Sequence, residues 1–325
     1  MKTIAIAGAT GAVGQQMLQC LKERNIEANL KLLASSRSKG KKIGEYTVEE
    51  LCEDSFTGVD YVLGATGNDV TKKWMPWALK AGCIVVDNSS AFRLEKDVPL
   101  VIPEVNPQDI QNHHGLIANP NCATIIALVA LNELHKKYHI KRMIVTTFQA
   151  VSGAGVQGIE DLKNQIKDET IPSKAFPYQI AYNLIPQIGD FDENGISKEE
   201  WKMQNEARKM WHDDELKVNC TCVRVPIMRS HSESITIECE KEVDVNEARE
   251  LLSKASGVLL KDDPQNKIYP MPKDTTDQDL VYVGRIRKDL TDETNHSLVL
   301  FCCGDQIRKG AATNAVQILQ NVMEQ

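Results

Sequence analysis

No apolar run in this chain of 325 residues reaches the twenty or so residues that a membrane-spanning helix needs. An excess of positive charge is also missing. Lys and Arg number 38 against 45 Asp and Glu, a net charge of −7, which argues against nucleic acid as a general partner. The N-terminal stretch Met1-Lys2-Thr3-Ile4-Ala5-Ile6-Ala7-Gly8 has no long apolar core and no cleavage signal. It does not read as a secretory signal, and a cytoplasmic location is expected. Nine cysteines without such a signal are expected to be reduced thiols rather than a disulfide framework. Metal-ligand spacing is absent as well. Cys220-Thr221-Cys222 and Cys302-Cys303 lie in β-like runs, over 218–225 and 297–303, without the gaps of a zinc knuckle. Alternation puts Cys220 and Cys222 on one face and separates Cys302 from Cys303, so all four read as structural. There is no internal repeat and no low-complexity segment.

What is present begins with Lys2–Ala7, a short apolar strand that runs into Gly8-Ala9-Thr10-Gly11-Ala12-Val13-Gly14 and then a helix over Gln15–Arg24. Strand, glycine turn and helix together form a dinucleotide fingerprint, here spaced G-x-x-G-x-x-G, with the pyrophosphate expected on the helix N-terminus. A second strand, Leu30–Ala34, leads into Ser35-Ser36-Arg37-Ser38-Lys39-Gly40-Lys41-Lys42. An NAD-selective site would end this strand with a carboxylate for the ribose 2′-hydroxyl. Here Arg37 and the serines could grip a 2′-phosphate instead, which favours NADP. Further short strands are expected at Asp60–Ala65, Cys83–Asn88, Leu100–Val101 and Leu116–Ala118, with a helix over Asp69–Ala81. That alternation is the pattern of a doubly wound parallel sheet. Arg93 follows one strand end in Asn88-Ser89-Ser90-Ala91-Phe92-Arg93 and is a candidate anion binder, although an arginine in a loop is more often just solvated.

Cys122 is the most informative residue. It follows a strand and an Asn119-Pro120-Asn121 turn and precedes an apolar helix over Ala123–Tyr138. At a helix N-terminus, backbone N–H groups and the helix dipole favour the nucleophilic thiolate. The β-run Lys141–Val151 carries Gln149, an amide that must be locked in a network or aimed at a ligand, and ends in Ser152-Gly153-Ala154-Gly155. The helix over Lys198–His212 places Lys202, Glu206 and Lys209 on one face, which is either a solvated ion-paired surface or the wall of a site for a zwitterionic, phosphorylated substrate. His231 is expected in an accessible turn after the strand ending near Arg224. His113, His114, His135, His139, His212 and His296 read as solvated. Lys309–Met323 is an amphipathic helix expected to return to the N-terminal domain.

Six ordered blocks of this sequence resemble the aspartate-β-semialdehyde dehydrogenase family along nearly the whole chain. They are Gly8–Gly14, Asn88–Arg93, Asn119–Cys122, Gln149–Gly155, Arg224-Val225-Pro226 with His231-Ser232, and Arg308–Asn314. The resemblance implies an N-terminal Rossmann-type doubly wound parallel sheet over 1–121, completed by 306–325, and an α+β catalytic and dimerisation domain over 122–305. It implies NADPH-dependent reductive dephosphorylation of L-4-aspartyl phosphate to aspartate semialdehyde, within lysine, methionine and threonine biosynthesis, by a homodimer. Cys122 would be the nucleophile, His231 the general acid/base that supplies and removes protons, and Gln149 the group orienting the acyl carbon. Arg224 would hold the substrate carboxylate and Glu206 its ammonium, with Arg93, Lys209 and, more weakly, Lys202 on the phosphate. Gly8, Thr10, Gly11, Ala12, Val13, Gly14, Ser36, Arg37, Ser152, Gly153 and Asn314 would contact NADP. The chain departs from the family at Ala123, where Ser or Thr is frequent, and at Ser230, where Gly is common. The rival readings are N-acetyl-γ-glutamyl-phosphate reductase, a cysteine hydrolase and a non-enzymatic nucleotide sensor.

Overall fold

Two structural units divide the chain in the computed structural model, which describes residues 1–324. One unit holds 1–121 together with the segment from Ala311 onward, and the other holds 122–310.

The first unit runs β1 (Thr3–Ala7), α1 (Ala12–Glu23), β2 (Asn29–Ala34), a small hairpin of β3 (Lys42–Ile43) and β4 (Tyr46–Thr47), β5 (Glu49–Glu50), β6 (Tyr61–Gly64), α2 (Asn68–Lys80), β7 (Ile84–Asp87) and β8 (Leu116–Ala118). Six of these strands make one parallel sheet in the order β5-β2-β1-β6-β7-β8. The central strands are short apolar runs because the layers on both faces bury them. The chain leaves β1 toward β2 on one side and resumes with β6 on the other. The order therefore reverses at the carboxyl end of β1, where open sheets of this type bind ligands. Gly8 occupies that end with φ +92°, and a Cβ there would lie 2.4 Å from the Ala65 carbonyl oxygen, so only glycine fits. Leu100–Val101 is not a full strand. Leu100 makes a single bridge to Ala118, because Pro99 and Pro103 lack the N–H groups a longer ladder needs.

The second unit runs α3 (Cys122–Tyr138), β9 (Ile140–Gln149), α4 (Gly155–Lys167), α5 (Lys198–Trp211), β10 (Lys217–Arg224), β11 (His231–Cys239), α6 (Val245–Lys254), β12 (Val258–Leu260), α7 (Pro272–Thr275), β13 (Val281–Lys288) and β14 (Ser297–Gly304). Its mixed sheet has the order β10-β9-β11-β14-β13-β12, parallel at the two outer pairs and antiparallel between. Alternation divides the faces. Met143, Val145, Thr147 and Gln149 of β9 and His231, Glu233, Ile235 and Ile237 of β11 are buried. α3 is apolar nearly all round and packs on this sheet with α5 and α6 as neighbours. The other face carries the exposed Ile144 and the half-buried Phe148 and Phe301, whose rings lie 6.4 Å apart.

The chain ends on α8 (Thr313–Met323), which returns to the first unit. Its Ala315, Val316, Leu319 and Val322 join Ile4, Ile6, Met17 and Leu21 in one core. Truncating Leu319 to Ala would cost about 2–5 kcal/mol there.

Two histidine expectations are overturned. His231 is not in an accessible turn. It opens β11 opposite Gly304 and is fully buried, while Ser230, at φ +73°, makes the turn before it. His135 is not solvated either. It stacks on Trp211 with ring centroids 4.0 Å apart, and burial pushes its imidazole down to about 4. The four paired cysteines are all buried, with Cys220 and Cys222 on one face and their sulfurs 3.6 Å apart. Among the described residues no cluster of His, Cys, Asp and Glu could hold a metal ion.

Candidate active site

Cys122 is the first residue of α3 and is only partly buried. Gly310 lies against it, since a Cβ at Gly310 would stand 2.9 Å from the Cys122 Cβ. A thiol at this point of a helix has backbone N–H groups for a neighbour, which favours the ionised form.

The ends of three strands converge on one network in the same unit. Arg224 ends β10 and Gln149 ends β9, paired in register, while His231 begins β11. Nη1 of Arg224 donates to the Ala150 carbonyl oxygen at 2.5 Å, and the guanidinium lies 5.8 Å from the Phe176 ring. Burial lowers the Arg224 pKa, and the charges of Glu199 and Cys122 oppose that shift, so this cation sits within electrostatic reach of the thiol. The Thr147 hydroxyl donates to Gln149 Oε1 at 3.0 Å, and Gln149 Nε2 donates to Glu199 Oε1 at 3.2 Å. Glu199 accepts a second, charged bond from Lys202 Nζ at 2.8 Å.

The His231 ring lies 3.1 Å through Nδ1 from the Ala150 N–H and 3.4 Å through Nε2 from Gln149 Nε2. A neutral imidazole cannot accept at both nitrogens. The backbone contact is the shorter, and the peptide plane fixes its hydrogen. Nδ1 is therefore the acceptor and Nε2 carries the proton. The contact between the two Nε2 atoms is non-bonded. Burial, then the neighbouring Arg224 charge, push this histidine down to about 3, against the pull of Glu199 and the Ser230 carbonyl.

Sequence reasoning passed over Glu199. Its signal was present: Ser197 and Glu200 form a capping box, with Glu200 N donating to Ser197 Oγ at 3.3 Å and Ser197 N to Glu200 Oε2 at 2.7 Å. That box sets the start of α5 and puts Glu199 and Lys202 on one face of its first turns. Glu206 and Lys209 lie seven residues further on, about 10 Å along the axis. Glu206 is nearly fully buried there. Hydrogen bonds join Lys202, Glu199, Gln149 and Thr147, while His231 and Arg224 are both tied to the backbone of Ala150, the residue after Gln149.

In the nucleotide unit, α1 starts at Gly11, which caps it without a side-chain hydrogen bond. Thr10, Ala12 and Val13 complete the turn, and Gly14 packs so closely that a Cβ would lie 2.4 Å from the Gly8 carbonyl oxygen. That leaves a cradle of backbone N–H groups shaped for a pyrophosphate. Ser36 and Arg37 lie exposed in a single turn after β2. Arg93 is buried, and its Nη2 donates to the Asn88 carbonyl oxygen at 2.7 Å. Asn314 spends its amide nitrogen inside the unit, on the Val101 carbonyl oxygen at 3.0 Å and Asn119 Oδ1 at 2.7 Å. In the second unit, Ser152 Oγ accepts from Gln306 Nε2. Gly153 faces His231 and Arg224, where a Cβ would stand 2.8 Å from Arg224 Nη1.

Residues 3–113 match the family model of the semialdehyde dehydrogenase NAD binding domain, and residues 131–309 match the semialdehyde dehydrogenase dimerisation domain. The chain is 50% identical to an aspartate-semialdehyde dehydrogenase of Aquifex aeolicus, over 99% of this chain and 98% of that protein. The crystal structure of aspartate semialdehyde dehydrogenase II from Vibrio cholerae, complexed with ASA, superposes with a TM-score of 0.94 at 40% identity, covering 100% of this chain and 98% of that one. The enzyme of Candida albicans with NADP superposes at 0.77 with 25% identity, over 99% and 98%. Two family models that together span most of its length and a relative at 50% identity show that the chain belongs to the aspartate-semialdehyde dehydrogenase family.

Proposed function

We propose that the enzyme interconverts aspartate semialdehyde and L-4-aspartyl phosphate through a thioester on Cys122. NADP is the preferred nucleotide, phosphate the second substrate, and a cytoplasmic homodimer the working form. The observation that carries the reading is the pairing of opposite charges around Gln149. Arg224 offers a guanidinium for an α-carboxylate, and Glu199 offers a carboxylate for an α-ammonium. An N-acetylated substrate has no ammonium, so a buried Glu199 would face a neutral amide and lose a charge-assisted bond. That disfavours the acetylglutamyl reading. We assign ammonium recognition to Glu199 in place of Glu206, and the phosphate to Lys202 ahead of Lys209; Arg93 keeps the anion-binding role that the resemblance implies.

In the reductive direction the Cys122 thiolate attacks the acyl carbon of aspartyl phosphate. The carbon–oxygen bond to phosphate breaks and phosphate leaves. Gln149 holds the acyl group, and His231 donates from Nε2 to the oxygen that gains charge. NADPH supplies a hydride to the thioester carbonyl when bound at the glycine turn. The resulting thiohemiacetal oxyanion stays hydrogen-bonded to His231, and its collapse releases the aldehyde and restores the thiolate. Release of phosphate consumes one proton, as the trianion expelled from the acyl phosphate becomes hydrogen phosphate; hydride delivery and thiohemiacetal collapse need none, and in those two steps His231 works as a hydrogen-bond donor, beside the acid/base role that the resemblance implies for it. Losing one such donor costs about 3 kcal/mol of barrier.

The preference for NADP is supported by Arg37 and by the lack of a carboxylate at the end of β2. The homodimer is supported by the apolar residues Ile144, Phe148 and Phe301 on the open face of the second sheet. A reducing compartment suits a catalytic thiol. The test is reduction of NADP by aspartate semialdehyde with and without phosphate, followed by absorbance. Activity that needs phosphate supports the acyl-phosphate route. Activity that does not need it assigns the enzyme to a hydrolytic dehydrogenase class.

A further inference from the structure

Glu233 follows His231 by two residues on β11 and shares its buried face, and both are 0% exposed. The ladder places Glu233 opposite Thr147 of β9 and opposite Cys302 of β14, with Cys222 of β10 on the far side of Thr147. This row of four lies directly behind the catalytic row of Arg224, Gln149 and His231. Neither carboxyl oxygen of Glu233 has a hydrogen-bond partner among the described residues. Burial raises its pKa well above the usual carboxylate range, which favours the protonated acid. A carboxylic acid is a donor as well as an acceptor. Buried polar groups without protein partners are commonly served by an internal water.

Of the two side chains paired with Glu233, only Thr147 carries an oxygen. Its hydroxyl donates to Gln149 Oε1 at 3.0 Å. A hydroxyl can equally turn round and accept, and the amide it faces could then flip. A donor on the Thr147 lone pairs removes that choice, because the hydroxyl must then send its proton to Gln149 Oε1. Gln149 Nε2 is left pointing to Glu199 and the substrate.

We propose that Glu233 is a positioning residue for the reaction, hydrogen-bonded through one internal water to Thr147 Oγ1 so that the Gln149 amide is held in its working orientation. The inference rests on the aspartate-semialdehyde reading above. It extends the site one row deeper into the sheet, to a residue that never touches substrate.

The test compares wild type, Glu233→Met, Glu233→Gln and Thr147→Val in the phosphate-dependent assay, with melting temperatures measured alongside. Glu233→Met removes the acid and keeps the bulk. Its melting temperature is expected to hold or rise, while kcat falls about tenfold, the rate equivalent of one hydrogen bond, and KM for NADP stays unchanged. Glu233→Gln keeps a donor and is expected to restore most of kcat. Thr147→Val should reproduce the loss, and combining it with Glu233→Met should add little. Wild-type kcat in Glu233→Met, or in Thr147→Val if the former does not fold, overturns the proposal. So does an equal fall in kcat and melting temperature in both the Met and Gln variants, which would mark a structural role alone. An inactive wild type would overturn the functional reading instead.

Discussion

The backbone N–H of Ala150 donates to Nδ1 of His231 at 3.1 Å, across the step from β9 to β11. That bond sets the proton on Nε2 and makes protonation of the ring unfavourable, because a charged imidazole would turn a second N–H toward Ala150. The imidazole is pushed down to about 3 from 6.5, chiefly by burial and then by the Arg224 charge. Nitrogen NMR of the histidine rings should show His231 neutral, with Nδ1 bare, from pH 5 to 9. The linkage has a definite sign. The folded pKa lies below the unfolded one, so the unfolded chain binds more protons between about 3 and 6.5. Stability from this group is complete above 6.5 and is lost as pH falls toward 3. A His231→Asn variant should show a flatter loss of stability over that window in acid-unfolding curves. An equally steep loss would remove His231 from the explanation.

Cys122→Ala should abolish turnover, because no other group at the start of α3 can form the thioester. The side chain is only partly buried, so the melting temperature should shift little, and NADPH should still bind at the glycine turn. Fluorescence titration of NADPH with the inactive variant checks both points. Residual turnover near that of wild type would show that another residue is the nucleophile.

Glu199 and Glu206 can be told apart by the same conservative change. Glu199→Gln removes the charge that we propose meets the substrate ammonium and should raise KM for aspartate semialdehyde about 10- to 100-fold, the worth of a charge-assisted bond. KM for NADP should not move. Glu206→Gln, about two helical turns away, supplies the contrast. An equal rise in KM from Glu206→Gln, with none from Glu199→Gln, would return ammonium recognition to the residue the family resemblance suggested.

These assignments mark where the sequence was legible. Periodicity located β1, α1, α3, β9 and α8 because each is an apolar or clearly amphipathic segment with clear ends. Leu100–Val101 reads as a strand by composition, but two prolines that deny it hydrogen bonds reduce it to a bridge. Cys122, Gln149, Arg224 and His231 stand out because they follow strand ends or turns, where a polar or nucleophilic residue needs a reason. Glu199 does not stand out. It is one of two adjacent glutamates at a helix start, and only the sheet packed against α5 shows that it meets Gln149. The state of His231 was equally hidden. Small polar neighbours suggested an open ring, whereas pairing with Gly304 on β14 buries it. The Ala150 backbone has no side chain to announce its bonds to both His231 and Arg224.

Gly153 provides the last test, because its missing side chain is what leaves room for Arg224. A Cβ at this position would lie 2.8 Å from Arg224 Nη1, 3.5 Å from His231 Cε1 and 3.6 Å from His231 Nε2. Separations below 3 Å cannot persist. Arg224 cannot yield cheaply, since the same Nη1 is bonded to the Ala150 carbonyl oxygen at 2.5 Å and its guanidinium lies over the Phe176 ring. His231 cannot yield either, being fully buried and held by the Ala150 N–H. Gly153→Ala should therefore displace the guanidinium from the position in which we propose it binds the substrate carboxylate. The expected result is a rise of about 10-fold or more in KM for aspartate semialdehyde, with a fall in kcat, since a misplacement of about 1 Å can cost up to about 100-fold. Overpacking should also lower stability by about 1–3 kcal/mol. Steady-state kinetics and a denaturant melt on the same preparation separate the two effects. Wild-type kinetic constants in a Gly153→Ala enzyme of unchanged stability would mean that Arg224 has slack, and that its role in holding the substrate is weaker than the geometry implies.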